Sequence, residues 1–312
     1  MTDISTSIGN VTFESCLMNA AGIWCMTAEE LDAMSASQAA TFVTKTATVQ
    51  ARQGNPKPRY WGFGESSINS MGLPNLGMEF YLDYLSRDPK SSQRFLSLAP
   101  IQPNDLETLI PMVNASGYQG SLELNLSCPN IPGKPQTAYD LESSKRLLDY
   151  IFSATDLQIG VKLPPFFDLV HFDEMAELLN QYPLTFITSV NSLGNGLVIH
   201  DLSVTIAPKN GFGGVGGACI KPTALANVHA FRQRLNPSIH IMGAGGVVTG
   251  RDVFEHILCG ADMVQVGTIL YEEGPEVFVR LMAELKEEMA KYGFAQLSDF
   301  RNKLQYLAPE TE

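Results

Sequence analysis

Residues 122–135 read LELNLSCPNIPGKP. The leucines in the first half alternate with other residues, as the side chains on one face of a β-strand do. Prolines then follow, and proline fixes the backbone φ angle and cannot extend a strand ladder. We therefore predict a buried strand that ends in a stiff loop, which carries the thiol of Cys128 close to the carboxamides of Asn125 and Asn130.

Cys128 is open to two interpretations at this point. A single cysteine is most often a small buried hydrophobic residue. A thiol held in a rigid loop among amide groups is also suited to proton transfer or nucleophilic attack. The segment itself does not decide between them, so the rest of the chain has to.

Short apolar segments typical of strands alternate with predicted helices along the whole chain. The predicted strands are residues 16–20, 41–46, 95–99, 122–126, 159–163, 186–191, 239–243 and 263–267. The predicted helices are residues 27–35, 78–85, about 104 onward, 140–153, 171–181, 223–235, 251–258 and 275–291. Weak alternation in residues 4–13 predicts an N-terminal β-hairpin. Eight strands alternating with helices indicate a parallel sheet closed into a (β/α)₈ barrel.

Length and composition fit one barrel domain over residues 1–312. The chain has 312 residues, and α/β barrels commonly reach this length as a single domain. No linker or shift in composition divides it. Two predicted loops, residues 52–77 and 193–222, are unusually long. Both follow strands and so belong to the C-terminal face of the barrel, where barrel active sites lie.

Charge and cysteine content exclude several classes of protein. A net charge of −12 argues against nucleic acid and anionic membranes as partners. No stretch approaches 18 consecutive apolar residues and the N-terminus lacks signal-peptide features, so we expect no membrane span or anchor. The five cysteines are scattered, so we expect no disulfide framework and a reducing cytoplasm as the compartment. The histidines form no cluster, so we expect no metal site.

Polar residues recur where the predicted strands end. Burying such groups without partners costs free energy, so one of them alone would be interpreted as structural, but a ring at one barrel mouth predicts a binding site. The residues concerned are Asn19, Lys45, Asn125, Lys162, Asn191 and Ser192. Each lysine is open to three roles, namely a Schiff base, a phosphate contact or an anion clamp.

Paired glycines follow the last two predicted strands, in the segments MGAGGVVTG and VGT. Glycine lets backbone N–H groups approach phosphate oxygens, and the loops after strands seven and eight often bind phosphate in barrels. The alternative is an ordinary glycine-rich turn. The pattern predicts a phosphate site at Gly245, Gly246, Gly267 and Thr268 without naming a cofactor.

Taken together, the motifs resemble those of the dihydroorotate dehydrogenase family over nearly the whole chain. They are NLSCPNIPGKPQ, SINSMGLPN, VTKT, GVKLPP, SVNSLGNGL and KNGFGGVGG. Cysteine rather than serine at position 128 is similar to the soluble class 1 enzymes. The segments GNPKPRY and SINSMGLPN most resemble class 1A, which uses fumarate.

The resemblance implies FMN as the cofactor, with its phosphate on the four residues of the predicted phosphate site. The rest of the flavin would contact Ala21, Gly22, Lys45, Thr46, Asn125, Lys162, Val190 and Gly217. The pyrimidine would contact Lys45, Asn69, Ser70, Met71, Gly72, Leu73, Asn125, Asn130, Asn191 and Ser192.

The resemblance also implies the reaction. Dihydroorotate would lose a proton to Cys128 and a hydride to flavin N5, giving orotate. Lys162 would stabilise negative charge on the reduced flavin, and Lys45 would help hold the substrate carboxylate. Fumarate would then reoxidise the flavin in the same site and leave as succinate. A cytoplasmic homodimer is expected.

Three alternatives remain open from the sequence. The first is a class 1B-like catalytic subunit that passes electrons to a partner with FAD and an iron–sulfur cluster, and on to NAD. The second is a lysine-dependent barrel lyase or isomerase that acts on a sugar phosphate. The third is a catalytically silent phosphate-binding barrel.

Overall fold

The structure, a computed structural model, describes residues 2–102, 104–127 and 136–308. The strands of the described residues are β1 (Thr6–Ile8), β2 (Val11–Phe13), β3 (Leu17–Asn19), β4 (Tyr60–Phe63), β5 (Ser66–Asn69), β6 (Phe95–Leu98), β7 (Ser121–Asn125), β8 (Ile159–Leu163), β9 (Phe186–Ser189), β10 (Leu193–Gly196), β11 (Ile199–His200), β12 (Ser203–Val204), β13 (Gly213–Gly217), β14 (His240–Ala244) and β15 (Met263–Val266). The helices of the same residues are α1 (Ala28–Ala36), α2 (Met78–Arg87), α3 (Leu106–Ser116), α4 (Leu141–Ala154), α5 (Leu169–Leu179), α6 (Lys221–Arg232), α7 (Gly250–Leu258), α8 (Thr268–Glu273) and α9 (Val277–Lys291).

Seven parallel strands form the wall of the barrel. Their order across the sheet is β3, β15, β14, β9, β8, β7, β6. Residues 41–47 lie between the two edge strands, because Thr41 bridges to Met18 of β3 and Val43 bridges to Phe95 of β6. The wall therefore closes on itself, and the predicted (β/α)₈ barrel is confirmed.

The prediction of a regular strand at residues 41–46 is wrong, because this segment makes isolated bridges and no continuous ladder. On the side facing β3, the carboxamide of Asn19 replaces the backbone ladder. Its Oδ1 accepts from the Val43 N–H at 2.9 Å, and its Nδ2 donates to the Val43 carbonyl at 3.0 Å. A side chain thus satisfies the backbone groups of Val43, and the backbone need not pair there.

The N-terminal hairpin is also as predicted, with β1 and β2 antiparallel. Ile8 and Phe13 from this hairpin pack on the residues that begin the barrel strands. That buried cluster consists of Ile8, Phe13, Met18, Val43, Phe95, Phe186, Met242 and Met263. We call it the apolar plug, and it fills the N-terminal end of the barrel.

The two long segments at the C-terminal face are not the structureless loops that the sequence predicted. They combine into a four-stranded antiparallel sheet in the order β10, β13, β5, β4. Glycine made the segment 209–217 look like a loop, because glycine is depleted in strands. Here it permits close pairing: a Cβ on Gly213 would lie 2.6 Å from the Asn69 carbonyl, and one on Gly217 would lie 2.3 Å from the Glu65 carbonyl.

A buried ionic cluster sits where β14 and β15 begin. Asp262 accepts from Arg232 at 2.7 Å and from the Ile241 N–H at 2.8 Å, and Arg301 approaches it at 3.6 Å. Burial alone would raise the pKa of Asp262. The polar contact with His240 at 3.6 Å and the charges of the two arginines outweigh it and hold that pKa below its usual 3.8.

We predict that Asp262→Asn lowers the free energy of unfolding by about 3 kcal/mol near neutral pH, because it leaves buried arginine charge without its partner. The folded-state pKa is depressed, so the stabilisation is present above pH 3.8 and is lost as the pH falls through the folded pKa. Urea denaturation of both proteins should therefore show a gap that narrows in acid. Asp149→Asn, which removes an exposed pair with Lys145, is the control and should have a much smaller effect.

Candidate active site

A cavity of about 300 Å³ opens at the C-terminal end of the barrel, between the strand ends and the four-stranded sheet. Every predicted cofactor and substrate contact within the described part of the chain lines it. Asn19, which was also predicted to belong to the binding site, does not line the cavity and bonds the Val43 backbone instead. The predicted cofactor contacts are Ala21, Gly22, Lys45, Thr46, Asn125, Lys162, Val190, Gly217, Gly245, Gly246, Gly267 and Thr268. The predicted substrate contacts are Asn69, Ser70, Met71, Gly72, Leu73, Asn191 and Ser192, together with Lys45 and Asn125.

Cys128 and Asn130 lie outside the described residues, so their predicted roles stay predictions. The flanking residues that the structure does describe, Ser127 and Gln136, both line the cavity.

Two lysines reach the cavity from separate parts of the wall, and both are buried, with 7% of Lys45 and 3% of Lys162 exposed. Burial lowers the pKa of Lys45, and the charge of Lys162 lowers it further. Lys162 donates to Gln265 Oε1 at 3.3 Å. Two buried ammonium groups in one cavity favour an anionic ligand, which would compensate their charge.

Carboxamides enter the cavity from three directions. Asn125 ends β7, donates to Thr46 at 3.4 Å and accepts from the Ser127 hydroxyl at 2.7 Å. Asn191 follows β9 and donates to the same hydroxyl at 2.5 Å. Asn69 ends β5 of the four-stranded sheet and donates to the Gly214 carbonyl at 3.3 Å. These contacts fix groups that can both donate and accept hydrogen bonds toward a ligand.

The glycine pair after β14 forms a turn with left-handed backbone angles, φ +109° at Gly245 and +79° at Gly246. A Cβ on Gly246 would lie 2.3 Å from the Lys221 Cβ, so only glycine fits. Buried His256 supports the turn, because its Nε2 contacts the Gly245 carbonyl at 2.9 Å. The turn presents backbone rather than side chain to the cavity, as a phosphate site requires.

Several cavity residues were missed by the sequence analysis. Tyr60 and Ser67 come from the hairpin β4–β5, which was predicted as a loop. Gln265 lies within β15, and a polar residue inside the apolar run MVQV is the same signal that identified Lys162. The other missed lining residues include Gln136, Lys209, Phe212 and Tyr271.

The described residues contain no group of three side chains suited to binding a metal ion. Their helices also include none that is long and apolar enough to cross a membrane. Within residues 2–102, 104–127 and 136–308, Cys16, Cys25, Cys219 and Cys259 are free thiols.

Comparison with known proteins connects this cavity to a family. The family model of dihydroorotate dehydrogenase matches residues 3–289. A Streptococcus uberis protein named dihydroorotate dehydrogenase A (fumarate) is 57% identical over 310 residues, which cover 98% of this chain and 100% of that protein. A Streptococcus equi protein of the same name is 58% identical over 309 residues, covering 98% of this chain and 99% of that one.

A solved structure supports the fold independently. The dihydroorotate dehydrogenase of Eimeria tenella, crystallised with ferulenol, superposes with a TM-score of 0.81 at 20% identity, over 96% of this chain and 87% of the other. At that identity the match concerns the fold alone. The family model and the close sequence relatives carry the assignment further: the chain belongs to the dihydroorotate dehydrogenase family.

Proposed function

We propose that this chain oxidises dihydroorotate to orotate with FMN as its flavin and fumarate as the electron acceptor. Membership of the family makes the enzyme a flavin-dependent oxidoreductase. The observation that carries the proposal is the meeting of two buried lysines, three carboxamides and a glycine turn in one cavity. Close relatives named for fumarate support that acceptor.

The cavity fits FMN. The turn at Gly245 and Gly246 packs so closely on Ile220 and Lys221 that a Cβ would clash, and its backbone N–H groups suit a phosphate. Gly267 and Thr268 border the same region of the wall, and Thr268 contacts Ser67 at 3.1 Å. Gly22, next to Lys45, has a φ of +127° that favours glycine, and a Cβ there would lie 3.1 Å from the lysine Nζ. When bound, FMN supplies a hydride acceptor for C6 of dihydroorotate and a hydride donor for fumarate.

The chain's own groups bind and orient the substrate. Asn69, Asn125 and Asn191 offer donors and acceptors that match the alternating edge of a pyrimidine. A substrate carboxylate would supply the negative charge that buried Lys45 lacks, and we assign that contact to it. Lys162 would place its ammonium group beside the flavin ring and stabilise negative charge there.

Proton transfer is assigned to Cys128. An unperturbed thiol has a pKa of about 8.5, and nearby cations lower such a value toward neutrality. Lys45 and Lys162 are the candidate cations. The thiolate of Cys128 would take the proton from C5 as the hydride leaves C6. In the second half-reaction the thiol would return a proton to fumarate.

We predict that Cys128→Ser keeps FMN and orotate binding but slows flavin reduction by dihydroorotate about 10²–10⁴-fold at neutral pH. A hydroxyl has a much higher pKa than a thiol and is a poor base without an activating partner. Stopped-flow absorbance measures the step directly, and Cys219→Ser, at an exposed thiol, is the control. Reduction at the wild-type rate would show that Cys128 is not the base.

Fumarate and dihydroorotate are proposed to use one site in turn, because each presents a carboxylate on a small carbon framework to the same lysine and carboxamides. One site requires ping-pong kinetics. We predict parallel double-reciprocal lines for dihydroorotate at several fumarate concentrations, with orotate competing against fumarate. Intersecting lines, or turnover that needs a quinone or NAD, would contradict the acceptor.

A homodimer is also proposed, on the basis of an apolar surface beside the four-stranded sheet. The hairpin β11–β12 exposes Ile199, Leu202 and Val204, and Trp61 lies next to it with its ring 5.4 Å from that of His200. Contiguous exposed apolar surface of this kind is typical of an interface.

We predict that Leu202→Asp converts the protein to a monomer of 34.1 kDa in sedimentation at micromolar concentration. A charge in the middle of an apolar contact would have to be desolvated without a partner. Leu307→Asp changes an equally exposed leucine outside this surface and should leave the dimer intact. A wild-type monomer would refute the homodimer, and a dimeric Leu202→Asp protein would refute this surface.

We propose one barrel domain for residues 1–312, supported by a buried apolar core with members from Ile4 to Phe300. We propose a cytoplasmic location, which the free thiols of the described residues support.

A further inference from the structure

Beneath the cavity, the barrel interior holds a buried carboxylate to which the proposed reaction gives no role. Glu123 lies on β7 and is 1% exposed. The apolar plug fills the barrel's N-terminal end, and the cavity with Lys162 opens at the other end. Glu123 therefore sits between hydrocarbon and the candidate flavin site.

Three side chains donate hydrogen bonds to the Glu123 carboxylate. Ser97 donates to Oε1 at 3.1 Å, and Thr188 donates to Oε2 at 2.7 Å. Gln265 donates its Nε2–H to Oε2 at 3.1 Å. Each of these partners can donate, and an ionised carboxylate is purely an acceptor, so the arrangement suits the charged form of Glu123.

A buried negative charge needs compensation, and among the ion pairs of the described residues none includes Glu123. The ammonium group of Lys162 is nevertheless connected to Glu123 through a single intervening side chain. Gln265 bonds Glu123 through its nitrogen and Lys162 through its Oε1 at 3.3 Å. The carboxamide thus joins the negative charge to the positive one.

The two charges also fix which way the Gln265 amide points. In the observed orientation its NH₂ faces the carboxylate and its oxygen faces the ammonium. If the amide were flipped, its oxygen would face the carboxylate oxygen of Glu123 and its NH₂ would face the ammonium group of Lys162, and neither contact could form a hydrogen bond. Gln265 is itself 1% exposed, so water offers it no alternative partner.

We propose that Glu123 and Gln265 are positioning residues for Lys162: the carboxylate orients the amide, and the amide oxygen holds the ammonium group at the floor of the cavity. The inference deepens the proposed function, on which it rests for the contact between Lys162 and the flavin. Gln265 also acts as a spacer, because without it the lysine can pair with Glu123 directly and withdraw from the cavity.

The first experiment measures the reduction potential of the bound flavin in the holoenzyme. Gln265→Leu removes the acceptor of Lys162 and leaves both charges in place. We expect the equilibrium constant for flavin reduction to fall about tenfold, or about 30 mV for a two-electron couple, because the reduced flavin loses part of its stabilisation.

The same substitution in a Lys162→Met background separates positioning from general loosening of the barrel. If Gln265 acts through Lys162, Gln265→Leu has no further effect on the potential once the lysine is gone. Gln265→Met is the second variant if leucine prevents folding. Gln233→Leu makes the same chemical change at a glutamine bonded to Tyr306 on the outer surface, and it should not shift the potential.

A second experiment tests Glu123 with Glu123→Gln, which keeps the shape and removes the charge. Loss of a nearby negative charge by itself raises the potential. When Gln265 is present, Glu123→Gln also frees the amide to reorient, which offsets this rise. Glu123→Gln should therefore raise the potential less in the otherwise wild-type protein than in a Gln265→Leu background. An equal or larger shift with Gln265 present would show that Glu123 does not act through the amide.

The outcomes separate the two proposals. A purified wild-type protein without bound flavin would overturn the proposed function. A flavin-containing wild type whose potential is unchanged by Gln265→Leu and Gln265→Met, or lowered equally with and without Lys162, would overturn only the positioning role.

Discussion

The cost of burying polar groups inside the barrel governs this structure. Parallel barrel strands normally fill their interior with branched apolar side chains, but here the half nearest the cavity carries Lys162, Glu123 and Gln265. Such groups are tolerated only when each has a partner. The apolar plug keeps the other half dry, so the polar network is confined to the end where a ligand binds.

The same rule explains the irregular part of the wall. Residues 41–47 leave backbone groups on the β3 side that no ladder satisfies, and the Asn19 carboxamide takes them. Freed from regular pairing, this segment carries Lys45 into the cavity. Asn19, which the sequence suggested for the binding site, therefore completes the barrel wall by bonding Val43. The irregular segment that results helps to shape the site.

Several predictions from the sequence hold because they depend on local chemistry. Lys162 within an apolar strand and the glycine pair at Gly245 and Gly246 each signalled a binding site, and each lines the cavity. The predicted loop at residues 52–77 failed because β5 pairs with β13, which is distant in sequence and rich in glycine, and β4 joins the sheet through β5. No local pattern reveals a strand whose pairing partner has almost no side chains.

The sequence by itself determined the alternation of strands and helices, the N-terminal hairpin, the family and about half of the described residues that line the cavity. Periodicity and residue type carry that information, since both depend on neighbours along the chain. The tertiary structure alone decided that Asn19 replaces a strand ladder, that two long segments form one sheet, and that Glu123, Gln265 and Lys162 meet. Those three come from β7, β15 and β8. Their contact exists because the barrel closes and because buried charges have no solvent to satisfy them.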